Sequence, residues 1–112
     1  MAVYVSNIII PSGEDFTQTF VLENAIGNSS FDLTDYTVRS HLKKHPVSLN
    51  ITAEFEVEIV GSESGIIVLS LASSITSQIK PGRYSYDIII DDGESKKRVV
   101  EGSALVTGGV TI

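Results

Sequence analysis

The sequence predicts an all-β fold: an immunoglobulin-like antiparallel β-sandwich of about seven strands, with one short helix between the fifth and sixth (strands E and F in that fold's lettering). Three observations lead there. Apolar residues recur at every second position in one segment after another, and turn residues separate the segments at intervals of roughly 8–12 residues. The clearest segment, Pro81-Gly82-Arg83-Tyr84-Ser85-Tyr86-Asp87-Ile88-Ile89-Ile90, opens on a turn dipeptide and then alternates, with Tyr84, Tyr86, Ile88 and Ile90 on one face. Just before it, Leu71, Ile75 and Ile79 are spaced by four, which is a helical period.

Length and composition set the limits. The 112 residues make a single sandwich domain, 1–112, with room for one modest core. An apolar content of 42% belongs to a globular chain. No apolar run reaches membrane-spanning length, and the first residues show no basic or apolar leader, so neither a membrane span nor a secretion signal is expected. There is no cysteine, which fits synthesis in a reducing cytosol and puts the burden of stability on packing. The net charge of −6 is uneven: no Lys or Arg precedes Arg39, whereas Glu14, Asp15, Glu23, Asp32 and Asp35 do. Nucleic acid is therefore not an expected partner, because phosphate affinity comes mostly from Lys and Arg.

In chain order, residues 3–10 form a β-branched first strand that stops at Pro11-Ser12-Gly13. Residues 15–22 form the second, with Phe16, Gln18, Phe20 and Leu22 on one face and Gln18 placed at the rim of the core, bonded to backbone. A loop follows, turning at Gly27-Asn28-Ser29-Ser30. Asp32 and Thr34 then suit local side-chain turns, while Phe31 and Leu33 drop into the sandwich edge. Residues 36–44 form the third strand, with Tyr36, Val38, Ser40 and Leu42 inward. Residues 53–59 form the fourth, with Ala53, Phe55, Val57 and Ile59 inward and Glu54, Glu56 and Glu58 in water.

A hairpin between these two would set Lys43 opposite Glu54, His41 opposite Glu56 and Arg39 opposite Glu58, each pair contributing about 0.2–1 kcal/mol. Residues 66–71 are a continuous apolar fifth strand of the kind covered on both sides. The helical turn over 72–79 starts near Ser73 or Ser74 and ends at Pro81-Gly82. After the sixth strand, Asp91-Asp92-Gly93-Glu94 signals a hairpin into a seventh strand over 95–106, in which Gly102 marks a bulge or bend. Val110-Thr111-Ile112 is a further edge segment. Tyr84 stands where a tyrosine corner would, its hydroxyl reaching back to backbone near the preceding turn, and Tyr86 points inward. The structural residues read from this pattern are Tyr84, Tyr86, Phe16, Phe20, Tyr36 and Phe55.

A search for chemistry finds no catalytic constellation, and no metal or cofactor is expected. His41 and His45 stand four apart, a metal spacing on a helix; on a strand it leaves them more than about 10 Å apart. Glu54, Glu56 and Glu58 splay along a strand, whereas a hard cation needs oxygens converging from loops. Lys96-Lys97-Arg98 adjoins Asp91, Asp92 and Glu94 across the expected hairpin, so those charges can pair internally. Asn28-Ser29-Ser30 and Asn50-Ile51-Thr52 match the glycosylation pattern by chance in a chain with no secretion signal. Tyr4, Tyr36, Tyr84 and Tyr86 serve packing better than they serve a sugar platform.

The pair of motifs Leu33-Thr34-Asp35-Tyr36-Thr37-Val38-Arg39 and Pro81-Gly82-Arg83-Tyr84-Ser85-Tyr86-Asp87 resembles a pattern in small immunoglobulin-like virion proteins of tailed bacteriophages, found in tail, neck or baseplate. Gly13-Glu14-Asp15-Phe16, Gly65-Ile66-Ile67 and Val99-Val100-Glu101-Gly102 extend the likeness over about residues 7–111. These motifs are structural. The resemblance implies a non-enzymatic virion protein whose partners are other virion proteins and copies of itself, with no membrane involved. It works through its surfaces, the first strand and the 110–112 tail being the candidate edges for an oligomer. The alternative is a carbohydrate- or host-surface-binding module, which requires clustered exposed aromatic rings.

Overall fold

The computed structural model of the chain describes residues 4–22, 32–61 and 65–109. The expected turn at 27–30, residues 62–64, Phe31, the side chain of Tyr4 and the 110–112 tail lie outside the described residues. The architecture is an immunoglobulin-like β-sandwich. One sheet has the order β1 (Tyr4–Val5), β9 (Lys96–Thr107), β8 (Gly82–Asp91), β4 (Thr37–Lys43), β5 (Ala53–Glu54), with β2 (Ile8–Pro11) also on β9, and the other has the order β3 (Phe16–Val21), β7 (Ile66–Leu71), β6 (Glu56–Gly61). β1 (Tyr4–Val5) and β2 (Ile8–Pro11) are two halves of the first expected strand. β3 (Phe16–Val21), β4 (Thr37–Lys43), β7 (Ile66–Leu71), β8 (Gly82–Asp91) and β9 (Lys96–Thr107) follow the alternation. The fourth expected strand is also split, into β5 (Ala53–Glu54) and β6 (Glu56–Gly61). Most pairings are antiparallel, but β1 and β2 run parallel to β9.

Aromatic side chains join the two layers. Phe16 and Phe20 come from β3, Phe55 from the break between β5 and β6, and Tyr86 from β8. Ring centroids are 6.0 Å apart for Phe16–Phe55, 6.2 Å for Phe55–Tyr86 and 6.4 Å for Phe20–Tyr86. Such pairs contribute about 0.5–1.5 kcal/mol each beyond the area they bury. Tyr36 is half-buried against the same core. Ser40, buried among these apolar groups, donates its hydroxyl to Asp87 O at 2.6 Å.

Two tyrosine hydroxyls tie down the backbone. Tyr84 donates to Lys80 O at 2.7 Å, which is the expected tyrosine corner. Tyr86 donates to Ser6 O at 2.6 Å, and burial pushes its phenol pKa up. Ser6 N donates to Glu101 O at 2.9 Å, and Asn7 Oδ1 accepts from Ser103 N at 3.1 Å. This crossing point explains Gly102, where a Cβ would collide with the Ser6 carbonyl. Gly102 therefore marks a close approach of two backbones, correcting the expected bulge. The register shift lies instead between Ile88 and Ile89, opposite Val99, and it lets Val99 and Val100 both point inward.

Other expectations need correction too. The short helix α1 (Ser73–Thr76) starts at Ser73 as expected, with Asp15 Oδ1 accepting from Ser73 N at 2.8 Å, but its inward face differs. Leu71 and Ile79 are buried, whereas Ile75 is exposed and Thr76 takes the inward place. Thr76 Oγ1 donates to Glu14 O at 2.8 Å and accepts from Gly13 N at 3.1 Å, holding the β2–β3 turn to the helix. β7 alternates between buried and half-buried residues, because neighbouring strands shield its outer side chains and no second layer covers them among the described residues. The Gln18 side chain is exposed and has no hydrogen-bond partner among the described residues, so its expected bond to a backbone group is not made.

The crossing point gives a stability prediction. Gly102→Ala should cost about 1–3 kcal/mol through overpacking against Ser6, and Tyr86→Phe about 1–3 kcal/mol through the orphaned Ser6 carbonyl, both read from urea unfolding. Loss of less than a few tenths of a kcal/mol in either variant would remove this contact from the fold's essential parts.

Candidate interaction surfaces

Alternation in β4, β8 and β9 sends every second side chain out of the larger sheet, and register aligns them into rows. One row runs Glu54, His41, Asp87, Glu101, Val5; the next runs Arg39, Ile89, Arg98. A groove of about 550 Å³ crosses this face, lined among others by Lys43, Ser85, Asp87, Ile89, Arg98 and Glu101. Arg98, Asp87 and His41 are engaged in ion pairs, whereas Lys43 and Glu101 make none among the described residues. Glu54 Oε2 accepts from Arg39 Nη2 at 3.1 Å and lies 2.7 Å from His41 Nε2, and Arg98 Nε donates to Asp87 Oδ2 at 3.1 Å. The hydrogen bond from His41, then that from Arg39, holds the Glu54 carboxyl below the usual glutamate range.

These contacts overturn the expected hairpin register. Glu54 lies opposite His41 and Ala53 opposite Leu42, two residues away from the expected pairing. Phe55 N still donates to Ser40 O at 3.0 Å, but the chain then leaves for the other sheet. There Glu56 and Glu58 stand opposite Ser70 and Val68. The three glutamates are thus divided between two sheets, and no group of three His, Asp or Glu among the described residues is placed to hold a metal ion.

His45 opens a turn, its carbonyl accepting from Ser48 N at 3.0 Å. In the β8–β9 hairpin, Asp91 Oδ1 accepts from Gly93 N, and Asp92 Oδ1 accepts from Glu94 N and Ser95 N. The bonds from Ser95 and then Glu94 lower the Asp92 pKa. The basic cluster adjoins these acids as expected, with Lys96 opposite Asp91 and the charge of Lys97 helping to lower the Asp92 pKa, but the contacts stop short of ion pairs. Arg98 reaches Asp87, while Lys96 and Lys97 make no ion pair among the described residues.

The loop between β4 and β5 carries a surface that sequence reasoning treated only as a connection. Pro46 takes the second position of the His45–Ser48 turn, where its fixed φ suits the geometry. Thr52 N donates to Leu42 O at 2.8 Å and closes the loop base, and Lys44 Nζ sits 4.8 Å from the centroid of the Tyr84 ring. On this braced loop Val47 is 89% exposed and Leu49 97%, with Ile51 beside them. Their signal was visible: Val47, Leu49 and Ile51 continue the odd-numbered alternation of Ala53, Phe55, Val57 and Ile59. A second apolar patch, Val5, Ile9 and Leu105, lies outside β1, β2 and β9.

Neither a comparison with protein families nor one with curated proteins finds a match. Among solved structures the chain is similar to part of InlP from Listeria monocytogenes, with 10% identity, a TM-score of 0.49, and coverage of 91% of this chain and 26% of that one. It is also similar to part of a family 123 glycoside hydrolase from Clostridium perfringens, described for glycolipid glycan hydrolysis. There the identity is 15%, the TM-score 0.44, and the coverage 100% and 24%. The chain thus spans about a quarter of each of these proteins. At these values neither likeness bears on function.

The Glu54 cluster sets a pH expectation. A carboxyl with a depressed folded-state pKa contributes stability above its unfolded value, and that contribution is lost as pH falls through the folded value. Carboxyl NMR titration should place Glu54 below the free glutamate range, and His41→Ala should move it upward. An unchanged Glu54 midpoint in His41→Ala would exclude the histidine as the main cause.

Proposed function

We propose that this chain is a structural, non-enzymatic protein of a tailed-phage virion, working in the tail, neck or baseplate region through contacts with other virion proteins and copies of itself. The observation that carries the reading is the braced loop bearing Val47 and Leu49. Two aliphatic side chains held almost wholly in water on a hydrogen-bonded turn form a ready contact. Burying each against a partner contributes about 1.5–3 kcal/mol, and a preformed loop loses little freedom in doing so. The motifs at 33–39 and 81–87, which resemble virion sandwiches, supply the setting. The carbohydrate-binding alternative finds little support, since Phe16, Phe20, Phe55, Tyr84 and Tyr86 are spent on the core.

Mass spectrometry of purified particles of the encoding phage should find the chain at structural copy number. Abundance in the soluble lysate with none in particles overturns the proposal. Leu49→Asp should leave the melting temperature within about 2 °C, as surface changes usually do, and lower incorporation into particles several-fold.

A further inference from the structure

We propose that the free edge of β3 pairs with the same edge of a second copy of this chain, antiparallel and centred on Gln18. The proposal deepens the assembly reading above by naming the edge and the partner; it rests on that reading only for self-association.

β3 has one neighbour among the described residues, β7. Leu22 N donates to Gly65 O at 2.8 Å, so the even-numbered residues of β3 turn their backbone groups toward β7. The odd-numbered Thr17, Thr19 and Val21 therefore turn theirs outward. An open strand edge is a template for another strand, and proteins usually blunt it with charge, proline, a bulge or short length. The other edges of this sandwich are blunted in those ways. β5 is two residues long and carries Glu54. β6 carries Glu56 and Glu58 and is interrupted between Ile59 and Gly61. The first strand is broken at Ser6 and Asn7 and ends on Pro11. β3 is six residues long, Phe-Thr-Gln-Thr-Phe-Val, with none of these devices.

Its sequence also supports self-recognition. Phe16-Thr17-Gln18-Thr19-Phe20 reads the same in both directions. Antiparallel pairing about Gln18 sets Phe16 opposite Phe20, Thr17 opposite Thr19 and Gln18 opposite itself. Faces are kept, so both phenylalanines stay in their own cores. The outward groups of Thr17 and Thr19 then exchange backbone hydrogen bonds on both sides of the two-fold axis. The Gln18 side chain, which lies on the core-facing side yet is exposed and without a partner among the described residues, meets its copy at close range, amide to amide. Charge permits the approach: Asp15 of each copy falls opposite Val21 of the other, leaving the two Asp15 carboxylates about 20 Å apart along the strands, beyond the ~10 Å screening length at 0.1 M salt. An isologous contact of this kind closes as a dimer.

Sedimentation of the full chain should show a concentration-dependent dimer. Thr17→Pro removes an N–H that faces away from β7, so the monomer keeps its circular dichroism and melting temperature, while dimer dissociation rises on the order of tenfold or more. The chain has no cysteine, so Gln18→Cys gives an unambiguous cross-link. It should oxidise to a covalent dimer much faster than Glu58→Cys on the opposite edge. A wild-type monomer at about 1 mM, as expected if the edge instead takes a strand from a different protein, overturns the proposal. So does a dimer undisturbed by Thr17→Pro, or equal cross-linking by the two cysteines. None of these outcomes bears on whether the chain is found in particles.

Discussion

The arrangement of both sheets depends on where the first strand is held. The Tyr86 hydroxyl fixes the Ser6 carbonyl directly above Gly102, across 80 residues of sequence. This contact anchors the break between β1 and β2 and keeps both halves on β9. A first strand committed to that sheet is not available to pair with β3. Among the described residues the smaller sheet therefore has three strands and an open edge at β3. One buried phenol and one absent side chain thus decide which edges of the sandwich are free.

The opposite side of the molecule is settled by the change of sheet at Phe55. Its backbone still bonds to Ser40, its ring meets Phe16 and Tyr86, and the residues after it belong to the other layer. The chain itself thus closes that side. On the outer face of the larger sheet several charges meet within pairs, Arg39 and His41 with Glu54 and Arg98 with Asp87. Polar pairs that satisfy each other offer little to a ligand. The apolar loop and the open strand edge, whose groups have no partners among the described residues, offer more.

The sandwich was legible because alternation reports which face of a strand is buried, and the tyrosine corner because its residues are local in sequence. The register between β4 and β5 was not, because alternation has period two: a slip of two residues leaves every side chain on the same face, so Glu54 opposite Lys43 and Glu54 opposite His41 look alike. Similar ambiguity hid the loop, where Val47, Leu49 and Ile51 keep the strand's rhythm without the strand. At Gly102 the sequence signalled a special backbone position without saying that a distant carbonyl occupied it. In the helix, spacing favoured Ile75 over Thr76, but the inward place went to the hydroxyl that could satisfy both Glu14 and Gly13.

The parallel run of the first strand beside the last has a mechanical side. Ile8 through Pro11 lie against Ala104 through Thr107, pointing the same way. Tension applied ahead of β1 and beyond β9 would drag the two strands lengthwise past each other. Their hydrogen bonds would then share the load in shear and would not open one after another like a zip. The domain is thus built to bear traction along its length better than peeling from either side.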